Sequence, residues 1–385
     1  MSGRLLRRAC TTALVTVVTG ALLAAAPGPG PTPAPSGPAL PAPGDRSVAT
    51  LLTDLQRLYR EAEEATEAYN ATEEELTKQR AEVARLDRKL TRARLSLHDS
   101  RGAAGRLARQ QYQNGTTTLS PYVRLLLARD PHRVLEQGHV IHQVAQERAE
   151  TLDRVAGGEK RTDALAHKAR AALDRQLTLT ERRRKERDGV RDRLGEVERL
   201  LASLTADQLA DLAELEKDTT AAAQDELITS GALGSTPRPP TANGAKALRY
   251  AVAQIGKPYE WGAEGPDTYD CSGLTSEAWA DAGHPIPRTS QEQWAQLPHV
   301  PLEELRPGDL IVYFDKATHI ALYLGGGMVV QAPRPGAKIK VSPMAANPVL
   351  GAVRPDPDAE PLKHYRPPKL PSTAAEGSDE AYDAL

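Results

Sequence analysis

From Leu51 to Leu97 the chain repeats one spacing without a break. Leu51, Leu55, Leu58, Ala62, Ala65, Tyr69, Thr72, Leu76, Gln79, Val83, Leu86, Leu90, Ala93 and Leu97 are separated by alternating steps of four and three, with Glu, Arg and Lys between them. Mostly apolar side chains at that period line one seam of a helix and leave its other faces polar. A helix over 47–100 would be on the order of 80 Å long at 1.5 Å per residue. A weaker series runs Leu152, Val155, Thr162, Ala166, Ala169, Leu173, then Val190, Leu194, Val197, Leu201 and Leu204. Its middle puts Gln176, Thr180, Arg183 and Arg187 on the seam, so loose pairing is expected there. Between the arms Gly102, Gly105, Asn114-Gly115 and Pro121 break the period, and Tyr122, Leu125, Leu126, Leu127, Val134 and Leu135 add a short apolar segment. The pattern predicts an antiparallel helical hairpin with a small helical knob at its tip. A straight parallel dimer stays open.

The C-terminal third reads differently. Residues 244–256 form an amphipathic pattern ending at Gly256, and Leu274, Ala278, Trp279 and Ala282 read as a short helix starting near Cys271. Strand-like runs follow at Asp309 to Phe314, at Ile320 to Leu324 and at Met328 to Ala332, the last two separated by Gly325-Gly326-Gly327. Aromatic residues make up only 4% of the 385, yet Trp261, Trp279, Trp294 and the single Phe314 all fall between 261 and 314. The globular core is therefore expected in that third.

Two segments lack core-forming residues. Residues 27–46 are dominated by Pro, Ala, Gly, Ser and Thr, and 229–243 form a second linker. Residues 358–385, rich in Pro, Asp, Glu and Ala, are expected to be a disordered tail. At the N-terminus Arg4, Arg7 and Arg8 precede an apolar stretch from Ala13 to Ala26, closed by the small residues Ala24-Ala25-Ala26. That is the pattern of a signal peptide over 1–26, and an uncleaved anchor stays open. The expected compartment is extracellular or the cell wall.

Export changes the meaning of the cysteines. Cys10 would leave with the signal, so Cys271 would be the one thiol of the secreted chain, unable to form an internal disulfide. The net charge of −2 gives no argument for nucleic acid. The basic run Arg182-Arg183-Arg184-Lys185 reads as a solvated helix face. His132, His139 and His142 lack an acidic or thiol partner, so no metal and no cofactor is expected.

Cys271 carries the candidate chemistry. At a helix N-terminus, unpaired N–H groups and the macrodipole favour a thiolate and can serve as an oxyanion hole. A thiol nucleophile also needs a base. Of His284, His299, His319 and His364, His319 alone opens an apolar strand. Gln331, the polar residue of the next strand, can orient its ring.

Five runs then fall in order: Pro258-Tyr259-Glu260-Trp261-Gly262, Asp270-Cys271-Ser272-Gly273-Leu274, Pro287-Arg288-Thr289-Ser290, Arg306-Pro307-Gly308-Asp309-Leu310 and His319-Ile320-Ala321-Leu322-Tyr323-Leu324-Gly325. Across 244–357 the chain resembles the NlpC/P60 cysteine peptidases. The resemblance implies a papain-like α+β domain that cuts peptidoglycan stem peptides between γ-D-glutamate and a diamino acid. By position it makes Cys271 the nucleophile, His319 the base and Gln331 the orienting group, where histidine is common in the family. Tyr259, Asp270, Ser272, Arg288 and Ser290 are the implied substrate contacts. Arg288 and Ser290 could equally cap a helix over Thr289 to Gln296.

The expected architecture is multidomain: an all-α coiled-coil hairpin over 47–228, followed by the α+β domain. The leading function is a secreted peptidoglycan endopeptidase that forms a thioester and is regulated by the hairpin. An amidase cutting the sugar–peptide bond, and a coiled-coil adaptor recruiting other wall hydrolases, stay open. Expected partners are peptidoglycan and, through the hairpin, a membrane-associated regulatory complex. The oligomeric state is not legible.

Overall fold

The structure, a computed structural model, describes residues 47–115, 123, 131–234, 236–372 and 374. The expected signal peptide, the N-terminal linker and most of the predicted knob lie outside the described residues. Among the described residues no helix is long and apolar enough to cross a membrane.

Two long helices form the hairpin. α1 spans Val48–Gly115 (68 residues) and α2 spans Pro131–Ala202 (72 residues). The seam of α1 is buried where its side chains are largest, at Leu51, Leu55, Leu58, Leu76, Leu86, Leu90 and Leu97. α1 runs through Gly102 and Gly105, where a break was expected. Each glycine costs a helix interior about 1 kcal/mol, yet the helix continues, with Arg101 Nη2 reaching Glu159 Oε1 of α2 at 2.7 Å.

The register of α2 needs correction. Leu152 and Leu173, expected on the seam, are 64% and 46% exposed, while Thr151 and Ala172 are buried. A helix at 3.6 residues per turn drifts about 20° per heptad from a 3.5 repeat. The seam is shifted by one residue at these two places and keeps its expected phase at Val190, Val197 and Leu201. Polar bonds replace apolar packing in the polar middle: Gln79 Nε2 donates to Ala172 O at 2.7 Å and Thr72 Oγ1 to Glu186 Oε2 at 3.1 Å.

A third helix went unread in the sequence. α3, Ala206–Thr229, is separated from α2 at Thr205, whose hydroxyl accepts from Gln208 N while the Gln208 side chain accepts from Thr205 N. This reciprocal cap starts a new helix and turns the chain toward the C-terminal domain.

That domain holds α4 (Ala242–Ala253), α5 (Cys271–Asp281), α6 (Ser290–Gln296) and a six-stranded antiparallel sheet. The strands are β1 (His299–Val300), β2 (Leu310–Tyr313), β3 (His319–Gly325), β4 (Met328–Gln331), β5 (Lys340–Pro343) and β6 (Val349–Val353), in the order β1-β6-β2-β3-β4-β5. Alternation along the strands divides the core. Leu310, Val312, Ile320, Leu322 and Val330 pack with Leu248, Leu274 and Trp279 of α4 and α5. Ile311, Tyr313, Ala321, Tyr323 and Val329 face the other way, toward Leu227 of α3 and Leu233. α3 is fastened to the sheet by Gln224, whose Nε2 donates to Gly327 O at 2.9 Å and whose Oε1 accepts from Ala345 N at 3.0 Å.

The expected disorder after 357 is corrected through residue 372 and at Ala374. Leu362 N donates to Pro240 O and Val341 N to Ala374 O, and Tyr365 packs on the core. The composition looks like a tail because the segment contributes few large side chains, yet backbone bonds tie it down.

Candidate active site

Cys271 is the first residue of α5 and the free, buried cysteine of the described chain. Asp270 is the N-cap and accepts from Gly273 N at 2.6 Å. Gly273 has no room for a Cβ because Ala263 O lies against it, which lets the preceding loop close over the helix start. The loop is tied in by Asp270 N to Ala263 O and by Gly262 N to Asp270 Oδ2, at 3.0 and 2.9 Å.

The β2–β3 hairpin brings His319 to the same place. Its register pairs Tyr313 with His319, and the rings lie 5.5 Å apart. The backbone of Ile320, the next residue, opposes in small part the rise that burial imposes on the Cys271 thiol pKa. His319 Nε2 is 2.7 Å from Gln331 Oε1 on β4. An amide oxygen on that nitrogen requires Nε2–H, which leaves a lone pair on Nδ1. Nδ1 has no hydrogen-bond partner among the described residues. Burial lowers the His319 pKa to about 4, so the ring is neutral.

The five expected substrate contacts divide. Tyr259 is buried, and burial, with Cys271 next in weight, pushes the pKa of its hydroxyl well up. Asp270, Ser272 and Arg288 form one network. Arg288 Nη2 and Nη1 donate to Asp270 Oδ2 and Oδ1 at 2.8 and 3.1 Å, Nη1 also to Ser272 Oγ at 2.8 Å, and Nε to Glu264 Oε1 at 2.6 Å. Asp270 and Arg288 thus serve each other. Thr289, not Arg288 or Ser290, caps α6. The Ser290 hydroxyl is turned away, donating to Ala317 O at 2.7 Å, and its backbone N–H donates instead to Glu67 Oε2 of α1.

What faces the pair was invisible in the sequence. α1 lies across the site. Glu67 Oε1 accepts from Ser272 Oγ at 2.7 Å, Oε2 accepts from Ser290 N at 2.9 Å, and Oε1 lies 3.9 Å from Cys271 Sγ. One turn earlier, Glu63 Oε1 is 3.6 Å from His319 Nδ1. Asn70 Nδ2 donates to Asp270 Oδ2 at 2.9 Å. Tyr69 stacks edge-on against Trp261 at 5.1 Å, beside Gly262, whose φ of +77° and lack of a Cβ admit the ring. Lys316 Nζ to Glu64 Oε2 at 2.9 Å closes the outer edge.

This cover governs the electrostatics. Burial, then the charges of Glu67, Asp270 and Glu63, pushes the Cys271 thiol well up from its ordinary value. Burial beside Asp270 raises Glu67 to about 7, and burial beside Glu67 raises Glu63 well above the carboxylate range. With α1 in place burial keeps the Cys271 thiol protonated and the His319 imidazole neutral.

Residues 256–351 match the NlpC/P60 family. A Corynebacterium glutamicum (strain R) protein named "Probable endopeptidase" is 38% identical over 128 residues, 33% of this chain and 61% of its own length. "Probable endopeptidase p60" of Listeria seeligeri is 43% identical over 91 residues, 23% of this chain and 17% of its own. The chain thus spans less than two thirds of either relative. Among solved structures, the NlpC/p60 domain of the peptidoglycan hydrolase SagA is 31% identical, covering 29% of this chain and 97% of that one, with a TM-score of 0.28. The C-terminal part of the chain carries an NlpC/P60 domain, preceded by the long helices.

Proposed function

With residues 256–351 an NlpC/P60 domain, we propose that the protein is a secreted peptidoglycan endopeptidase using Cys271 as nucleophile. The observation that carries the reading is the arrangement of thiol and ring. Cys271 starts α5, and Gln331 holds His319 Nε2, leaving Nδ1 free to take a proton. The relatives named as endopeptidases support the same class.

In this reading His319 Nδ1 takes the thiol proton, and the thiolate attacks the γ-D-glutamyl carbonyl of a stem peptide. The Cys271 N–H, unpaired at the first position of α5, is available to the oxyanion, with the Tyr259 hydroxyl nearby. Collapse gives a thioester on Cys271 and expels the diamino-acid amine, which takes the proton back from His319. Water, deprotonated by the same ring, then hydrolyses the thioester. Ser272 Oγ and the Ser290 N–H, which already hold a carboxylate from α1, are the donors for a substrate carboxylate. Asp270 and Arg288 keep those donors in position.

Digestion of purified peptidoglycan by the secreted chain, with identification of products by mass, tests this. Stem peptides cut after γ-D-glutamate, absent with Cys271→Ala, are expected. Intact peptides freed from sugar would indicate the amidase. Identical digests from the Glu67→Ala chain with and without Cys271→Ala, where α1 no longer holds the Ser272 and Ser290 donors, would leave only the adaptor.

A further inference from the structure

We propose that α1 is a built-in inhibitor of the Cys271 site, with Glu67 occupying the position of a substrate carboxylate. The inference rests on the hydrolase reading above and adds how that site is controlled.

Four contacts converge from one stretch of helix. Glu63, Glu67 and Asn70 occupy successive turns and address His319, the Ser272–Ser290 donor pair and Asp270 respectively. They are spaced so that one face of α1 meets base, nucleophile and cap together. The result is complete cover: Cys271 is 3% exposed and His319 is 0% exposed. The neighbouring cavity of about 520 Å³ between α1, α3 and the sheet reaches Glu63 and Gln331, but neither Cys271 nor Tyr259 lines it. A peptide cannot reach the thiol without displacing α1.

The chemistry of the cover suits reversible displacement. A permanent lid would bury apolar side chains, yet these positions carry two carboxylates and an amide, and after burial itself Glu67 raises the pKa of Glu63 while Asp270 raises that of Glu67. Desolvated like charges destabilise the contact they sit in. Glu67 nevertheless finds a hydroxyl and a backbone N–H, with Arg288 one bond behind. Those are donors suited to a carboxylate, and a γ-D-glutamyl residue also carries one. Substrate and helix then compete for the same two donors. The apolar part of the contact is small, resting on Tyr69 against Trp261.

The test compares the full secreted chain with Glu67→Ala and Glu67→Lys. Alkylation of Cys271 by iodoacetamide is timed by mass spectrometry, and muropeptide release is measured alongside. Tyr69→Ala, which leaves every carboxylate in place, is the second variant, and circular dichroism checks that each is folded. Folded Glu67 variants should be alkylated at least tenfold faster than wild type and release product faster, with Tyr69→Ala between. Rates within twofold of wild type in all three variants would overturn the proposal. So would a wild-type thiol that reacts as fast as in unfolded chain. Faster alkylation without product in any variant would leave the inhibitor standing and remove the endopeptidase reading instead.

Discussion

Glu67 Oε2 accepts the backbone N–H of Ser290 at 2.9 Å across 223 residues of sequence. The bond joins the helical hairpin to the C-terminal domain beside Cys271, and three further measurements extend the tests above.

The first concerns pH. Glu67, raised to about 7 under cover, returns on a released helix toward the ordinary carboxyl value of about 4.3. The docked state therefore binds the extra proton. Its contribution to docking is full below that ordinary value and is lost as pH rises through about 7. Glu63, also raised, acts in the same direction. His319, lowered to about 4, opposes them: its contribution is present above about 6.5 and lost as pH falls through 4. Asp270, Arg288 and Cys271 face Glu67 from the catalytic domain, and the protonated thiol adds its weight to the carboxyls. Between about pH 6.5 and 8 only the acidic groups still change, so α1 should loosen as pH rises. The ratio of the Glu67→Ala to wild-type alkylation rate of Cys271 should fall across that window. A ratio that holds constant or climbs would contradict the sign.

Gln331 should act through His319 and not on substrate. In the uncovered Glu67→Ala chain, Gln331→Ala removes the partner of Nε2. A bond of about 1–3 kcal/mol lost from the reacting geometry lowers kcat by about tenfold to a hundredfold. KM should stay within about twofold. Gln331→Glu should restore kcat and move the acidic limb of the profile upward, since a carboxylate supports the imidazolium. A KM change without a kcat change would place Gln331 in substrate binding.

Arg288 should be a stability residue as well. Its guanidinium, 7% exposed, grips the fully buried Asp270 with two bonds. Arg288→Ala leaves that carboxylate uncompensated and should cost about 3–5 kcal/mol in urea unfolding. Arg288→Lys keeps the charge but not the fork, and should fall between. The exposed Glu264 bond contributes little to either value. Unfolding midpoints equal to wild type would show that Asp270 is held by its N–H donors alone.

Much of the C-terminal domain was legible along the chain. Cys271 could be placed at a helix start because an apolar spacing begins just after it, and His319 and Gln331 because each stands at the end of a short apolar strand. Local periodicity reports such elements directly, since each strand or helix writes its buried face into its own few residues. The same reasoning found the apolar seam of α1 and failed in α2 at Leu152 and Leu173, which stand exposed beside the buried Thr151 and Ala172. It missed α3, whose start depends on one Thr205–Gln208 cap in an otherwise continuous helical pattern.

The cover over the site belonged to tertiary structure alone. Glu63, Glu67 and Asn70 sit beside the seam of α1, among the Glu, Arg and Lys of what reads as a solvated face. Nothing in their spacing distinguishes them from Glu73 or Glu74. Amphipathic pattern records which face meets the nearest helix, because that face must be apolar. A polar face buried by a partner two hundred residues away leaves no such mark. Its partners, a serine hydroxyl, a backbone N–H and an imidazole, are polar too, and only the folded chain brings them within reach.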